Sequence, residues 1–169
     1  MLDLTLAQVA QIIDGTLIGK PNIRITGIST DSRTTKPGDL FCAILGERTD
    51  GHDHLIQAKE NGAVAFLTSR EVNGDQVIAP ASSNDLDCVI VALGKLAAHI
   101  RNQMRNVEVI GVTGSSGKTS TKDMIGQVLS HAGPTHSPIG SPNNELGLPL
   151  TILDAPLGIR YLVAEMGMR

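Results

Sequence analysis

The chain has 169 residues, a formal net charge of −3 and 41% hydrophobic residues, enough to build a packed core and too apolar for a disordered chain. Only Phe41, Phe66 and Tyr161 are aromatic and there is no Trp, so the core must be aliphatic and there are no stacking platforms for single-stranded nucleic acid. Without a dense basic run, neither nucleic acid nor an anionic membrane surface has electrostatic support.

The N-terminus, MLDLTLAQVAQIIDG, lacks the basic start and cleavage site of a secretory signal, and no apolar run approaches the ~20 residues that span a bilayer. The expectation is a cytoplasmic chain with no membrane insertion, in which Cys42 and Cys88 are thiols. Thr5 to Gln8 reads as a capping box, with Leu4 and Val9 as its hydrophobic staple. Leu6, Val9, Ala10 and Ile13 then share a helical face, and Gly15 is expected to stop the helix. IRITGIS (23–29) reads as a strand with a bulge, TDSRTTKPGD (30–39) as a polar loop, LFCAIL (40–45) as a buried strand and GERTDGHDH (46–54) as a second polar loop. A short helix through Leu55 and Ala58 ends at Asn61-Gly62, and AVAFL (63–67) is a further strand.

APASSNDLD (79–87) shifts to small and polar residues, which places a domain boundary there, with domains at 1–82 and 83–169. Val89, Ala92, Leu93, Leu96, Ala97, Ile100 and Met104 form a helical stripe before the strand VEVIGV (107–112). From Lys118 a helix carries Met124, Ile125, Val128, Leu129 and Ala132 on one face and ends at Gly133-Pro134. THSPIGSPNNELGLP (135–149) reads as a long loop and YLVAEM (161–166) as a buried strand. A strand opening a new crossover should be followed by a helix, so the chain is expected to be cut within a domain. The fold class expected is α/β, a small N-terminal α/β substrate domain followed by the start of a P-loop ATPase domain with a mainly parallel sheet.

VIGVTGSSGKTS (109–120) carries the chemistry. Strand, glycine loop, Lys-Thr, helix is the setting of a phosphate-binding P-loop. The N–H groups of Gly114, Ser115, Ser116, Gly117 and Lys118 can converge on phosphate oxygens, helped by the helix dipole. Lys118 would reach the β- and γ-phosphates of ATP, and the Thr119 hydroxyl, followed by Ser120, would ligate Mg²⁺. The strict pattern wants glycine at 112, whereas this chain has Val112 and an early Gly111. Glu165, at the end of a strand expected beside the P-loop strand, can help hold the metal; Lys118 and Glu165 are the candidate catalytic residues. No Ser–His or Cys–His arrangement is needed, and no histidine pair has the spacing of a zinc site.

TGSSGKTS, with its early glycine, resembles the ATP loop of the Mur ligases. STDSRTTKPGDLFCAILGERTDGHDH (29–54) resembles their N-terminal UDP-precursor domain, and GSPNNELGLPLTIL (140–153) and AEMGM (164–168) resemble one member, the ligase that joins D-alanyl-D-alanine to UDP-N-acetylmuramoyl-tripeptide. The resemblance implies an ATP- and Mg²⁺-dependent ligation through an acyl phosphate, in cytoplasmic peptidoglycan precursor synthesis, by a monomer. It places the UDP end of the substrate at Ser29, Thr30, Asp31, Ser32 and Arg33 and at Gly46, Glu47, Asp50, Gly51 and His52, and places Asn143, Asn144 and Glu145 near the reaction centre. Asp-Ser, Asp-Gly and Asn pairs also make turns with no ligand at all. The family has three domains, of which this chain would hold the first and the opening of the second, so the fragment alone is expected to be inactive. The alternatives are the sister ligase adding the third stem-peptide residue, and a nucleotide-binding module without catalysis.

Overall fold

The computed structural model describes residues 2–46, 49–82, 87–138 and 145–167. Its contacts divide the chain into two units, Leu2–Leu96 and Ala97–Arg169.

In the first unit, β1 (Leu4–Thr5) leads into α1 (Leu6–Ile13), β2 (Thr16–Ile18), β3 (Arg24–Ile25), β4 (Gly27–Ser29) and β5 (Asp39–Cys42). A 3₁₀ turn, Gly51–His54, runs into α2 (Leu55–Glu60), followed by β6 (Ala65–Thr68) and β7 (Gln76–Ile78). The main sheet has the order β2-β7-β6-β5-β4, parallel from β4 to β7 with β2 antiparallel at the edge. The strands β5 and β6 are buried at every residue, as expected of central parallel strands covered on both faces. Phe41 and Phe66 lie in one cluster with Ala43, Ala58 and Ala63.

The capping box forms as read: Gln8 N–H donates to Thr5 Oγ1 at 3.2 Å, and Thr5 N–H donates to Gln8 Oε1 at 2.8 Å. The expected face of α1, Leu6, Val9, Ala10 and Ile13, is the buried one. The helix stop differs from expectation. Asp14, not Gly15, adopts the left-handed conformation (φ 59°). Gly15 serves a close approach instead, because a Cβ there would lie 2.6 Å from Val77 Cγ1 and 2.8 Å from the Ile78 carbonyl oxygen. The stretch read as one bulged strand at 23–29 is two, since β3 pairs with β1 while β4 pairs with β5. β2 and β7 had no sequence signal strong enough to name them.

The helix α3 (Cys88–Gln103) crosses the divide between units, which lies downstream of the compositional shift at 79–87. Its early turns belong to the first unit: Lys95 Nζ donates to the Ile13 carbonyl at 3.1 Å, and Asp87 accepts from Val89 N–H at 2.7 Å and from Leu45 N–H at 2.5 Å. Both cysteines are free thiols.

The second unit contains β8 (Glu108–Val112), α4 (Lys118–Ser130), β9 (Thr135–His136), α5 (Gly147–Leu153) and β10 (Tyr161–Glu165). Among the described residues its sheet has the order β8-β10-β9, all parallel. The helix α5 lies in and beyond the stretch read as loop; its Pro149 falls in the first turn, where a missing N–H does no harm. No helix among the described residues is long and apolar enough to cross a membrane.

The apolar stripe of α4 is not its buried face. Met124 and Val128 are exposed, at 59% and 70%, while Lys122 and Gly126 are buried. The reason is the chain that follows β9: Ser137 lies so close to Gly126 that a Cβ there would meet Ser137 Cβ at 2.8 Å. Periodicity finds an apolar stripe but cannot tell which face a later segment will cover.

Candidate functional site

In the second unit, β8 ends at Val112 and α4 begins at Lys118, leaving residues 113–117 as a tight loop at the C-terminal edge of a parallel sheet. Gly117 caps the helix in the left-handed region (φ 73°), and no atom lies within 4 Å of where its Cβ would be, so glycine is needed here for conformation and not for space. Gly114 also has positive φ (150°). Ser115, Ser116 and Gly117 are exposed, which leaves the loop backbone open to a ligand at the positive end of α4. Lys118 folds back over the loop, its Nζ donating to the Gly114 carbonyl at 2.9 Å.

β10 pairs with β8 in parallel register with Glu165 opposite Val112, which brings the carboxylate to the point where the loop leaves the sheet. Thr119 Oγ1 donates to Glu165 Oε2 at 3.0 Å, across 46 residues of sequence. Glu165 is only 7% exposed. A hydroxyl and a carboxylate so placed are hard oxygen donors of the kind Mg²⁺ takes, and Mg²⁺ commonly completes its shell with phosphate oxygens and water. Among the described residues no cluster of three His, Cys, Asp or Glu could hold a metal. The residues fit the ion. Glu145 is an exposed turn residue ahead of α5, while Asn143 and Asn144 lie outside the described residues.

In the first unit the two loops expected at the UDP end follow the C-terminal ends of the neighbouring parallel strands β4 and β5. Ligands of open parallel sheets bind at such an edge. In the first loop, Arg33 and Asp31 form an exposed pair at 2.6 Å, and the guanidinium pushes the Asp31 carboxyl down to about 2. Ser29 and Ser32 are buried: the Ser29 hydroxyl shares a hydrogen bond with Thr35 Oγ1 at 2.7 Å, and Ser32 Oγ donates to Gln57 Oε1. Thr30 is half-buried.

In the second loop Gly46 N–H donates to the Thr49 carbonyl at 2.9 Å; Glu47 lies outside the described residues. Gly51 packs against backbone, since a Cβ there would be 2.7 Å from Ile44 N. Asp50 accepts from the His52 backbone N–H at 2.9 Å, from the Arg70 guanidinium at 2.8 Å and from His52 Nδ1 at 2.6 Å. The His52 backbone, then Arg70, then the His52 ring hold the Asp50 carboxyl below the ordinary carboxylate range. Ser69 N–H donates to His52 Nε2 at 3.3 Å, so a ring with its hydrogen on Nδ1 serves both neighbours. Arg70 and Ser69 follow β6, the next strand along, and were not singled out in the sequence. Nothing in a lone Ser-Arg pair marks it; only the parallel order of β4, β5 and β6 brings these loops to one edge.

A parallel sheet whose strand turns through an open glycine loop into a helix, with a strand-end acid bonded to the Thr after the loop lysine, is the arrangement found in P-loop proteins. Two family models match the chain and together span most of it: "Mur ligase family, catalytic domain" over residues 24–106 and "Mur ligase middle domain" over residues 112–169. The chain belongs to the Mur ligase family.

The UDP-N-acetylmuramoyl-tripeptide–D-alanyl-D-alanine ligase of Mycobacterium tuberculosis is 40% identical over an alignment covering 100% of this chain and 38% of the relative. A crystal structure of MurF from Acinetobacter baumannii is similar with a TM-score of 0.85 and 35% identity, covering 99% of this chain and 36% of that one. MurF from Thermotoga maritima, solved in complex with ADP, gives a TM-score of 0.69 and 34% identity over 83% of this chain and 32% of that one. The chain thus spans little more than a third of the length of the relatives it matches.

Proposed function

We propose that the protein to which this chain belongs is an ATP-dependent ligase that joins D-alanyl-D-alanine to UDP-N-acetylmuramoyl-tripeptide in the cytoplasm, as a monomer, during peptidoglycan precursor synthesis. The observation that carries the reading is the Thr119–Glu165 contact at the mouth of the glycine loop, in a chain whose whole length aligns with ligases of that activity. In this reading the terminal carboxylate of the tripeptide takes the γ-phosphoryl group of ATP, ADP leaves, and the amine of D-alanyl-D-alanine displaces phosphate from the acyl carbon.

The chain's own residues position phosphate and neutralise charge, which is most of what phosphoryl transfer asks of a protein. The loop N–H groups from Gly114 to Lys118 bind phosphate oxygens. Lys118 exchanges the neutral Gly114 carbonyl for a phosphate oxygen, a stronger partner for an ammonium. Thr119 and Glu165 would hold Mg²⁺, which when bound neutralises charge on the phosphate oxygens. In the other unit, Arg33 turns its exposed guanidinium from Asp31 to the pyrophosphate of the UDP substrate, and Asp50, Gly51 and His52 follow the neighbouring strand at the same sheet edge.

Phosphate release that requires both substrates, measured on the intact ligase, tests this. Lys118→Ala is expected to lower kcat/KM by about a hundredfold or more, the scale of losing one charge-stabilising group in a phosphoryl-transfer site. A mutant turning over at the wild-type rate would overturn the assignment of the loop to ATP.

A further inference from the structure

Two arginines follow strands at the C-terminal edge of the first unit's sheet, Arg33 after β4 and Arg70 after β6, with β5 between them. They differ in what their donors do. Arg33 closes on its neighbour: Nε donates to Asp31 Oδ1 at 2.9 Å and Nη2 to Asp31 Oδ2 at 2.6 Å, so one carboxylate fills the fork. Arg70 is 57% exposed and commits a single donor, Nη2, to Asp50 Oδ2 at 2.8 Å. Its Nε and Nη1 have no protein partner among the described residues. Asp50 is the more buried of the pair, at 22%, and its Oδ1 also accepts from the His52 backbone at 2.9 Å and the His52 ring at 2.6 Å. The carboxylate is thus a fixed anchor that orients the guanidinium and leaves most of its donors to solvent.

The two arginines flank one element. Asp50 caps the Gly51–His54 turn, and the Asp31 carboxyl, lowered chiefly by Arg33, also feels the charge of His54. Neighbouring strands lie about 4.8 Å apart, which sets the ends of β4 and β6 about 10 Å apart. Two arginine side chains can close that span over a diphosphate, whose charge is spread over two linked groups.

We propose that Arg70 is a substrate-binding residue: held by Asp50, it presents its unused donors to the diphosphate of the UDP-linked substrate, across β5 from Arg33. The inference rests on the ligase reading above and deepens it by assigning the diphosphate a guanidinium that is already oriented. Arg33 must give up a bidentate pair to reach phosphate, whereas Arg70 keeps its bond to Asp50 and adds new ones.

The test uses the intact ligase with Arg70→Gln and Arg70→Lys. Affinities for UDP and for uridine are measured by ligand-observed NMR competition, alongside KM for the UDP-linked substrate and for ATP. Arg70→Gln is expected to weaken UDP binding about tenfold or more, the scale of losing charge-assisted hydrogen bonds, while uridine affinity stays within about twofold. KM for the UDP-linked substrate should rise in step, and KM for ATP should not move. Arg70→Lys, which keeps the charge without the fork, should recover part of the loss. Unchanged UDP affinity in Arg70→Gln would overturn the proposal. So would equal losses for UDP and uridine, which mark a loop loosened by removing a partner of Asp50. A wild-type enzyme that forms no amide bond between the UDP-linked tripeptide and D-alanyl-D-alanine would overturn the ligase reading itself, whatever Arg70→Gln does to UDP.

Discussion

Asp50 shows how much a single side chain can organise at the edge of a parallel sheet. It caps the Gly51–His54 turn, accepts from the His52 ring, and pairs with Arg70 from the loop after the next strand. Its folded pKa is depressed by those donors. Its contribution to stability is therefore fully present above the unfolded carboxylate value of about 3.9 and is lost as pH falls through the lower folded value. Asp50→Asn is expected to destabilise the first unit by about 1–3 kcal/mol at neutral pH, since it weakens several charge-assisted hydrogen bonds together. It should also flatten the fall of Tm between roughly pH 4 and pH 2. Melting curves across that range decide; a wild-type profile in the mutant would show that Asp50 holds nothing. Neither the depressed carboxyl nor its pairing with Arg70 could be read from GERTDGHDH, because Arg70 lies twenty residues from Asp50 in sequence.

At the scale of elements, the contrast between two glycines is instructive. Gly117 is required by its backbone angle, with open space around it, whereas Gly15 has an ordinary angle and no space. Sequence rules treat both as helix punctuation, and for Gly117 that is sufficient. For Gly15 it misses the reason, which is the approach of β7. Gly15→Ala should force the Cβ against Val77 and the Ile78 carbonyl and cost about 1–3 kcal/mol, the usual range for overpacking. Chemical denaturation measures it, and a loss below a few tenths of a kcal/mol would mean that β2 and β7 move apart freely. In α4, likewise, the stripe of Met124, Ile125, Val128, Leu129 and Ala132 was legible, but the buried face was decided by Ser137 and Pro138 returning over Lys122 and Gly126. A period of 3.6 reports where apolar side chains sit around a helix, not which of them a distant segment will reach.

For the whole molecule, the placing of the domain boundary becomes an experiment. We propose that the first unit needs the early turns of α3. Lys95 reaches the carbonyl end of α1, Asp87 bonds the loop after β5, and Val89, Leu93 and Leu96 are buried. A polypeptide of residues 2–103 should fold with dispersed amide resonances and unfold cooperatively. One ending at residue 80 should be less stable by several kcal/mol, from the apolar side chains left unburied. Equal stability of the two would place the boundary back at 79–87.

The sequence by itself determined the class of fold, the capping box and buried face of α1, the glycine loop between β8 and α4, and the family, because each is written in contiguous residues or in a short period. A glycine loop between an apolar strand and a helix constrains backbone geometry locally, and so can be read locally. Only the tertiary structure decided that Glu165 meets Thr119 at 3.0 Å, that Arg70 joins Asp50 and His52, and that Lys122 is buried under Pro138. Those contacts depend on strand order and on which segment returns over which face. Such choices are set by the burial of the whole chain and leave no mark at any one position.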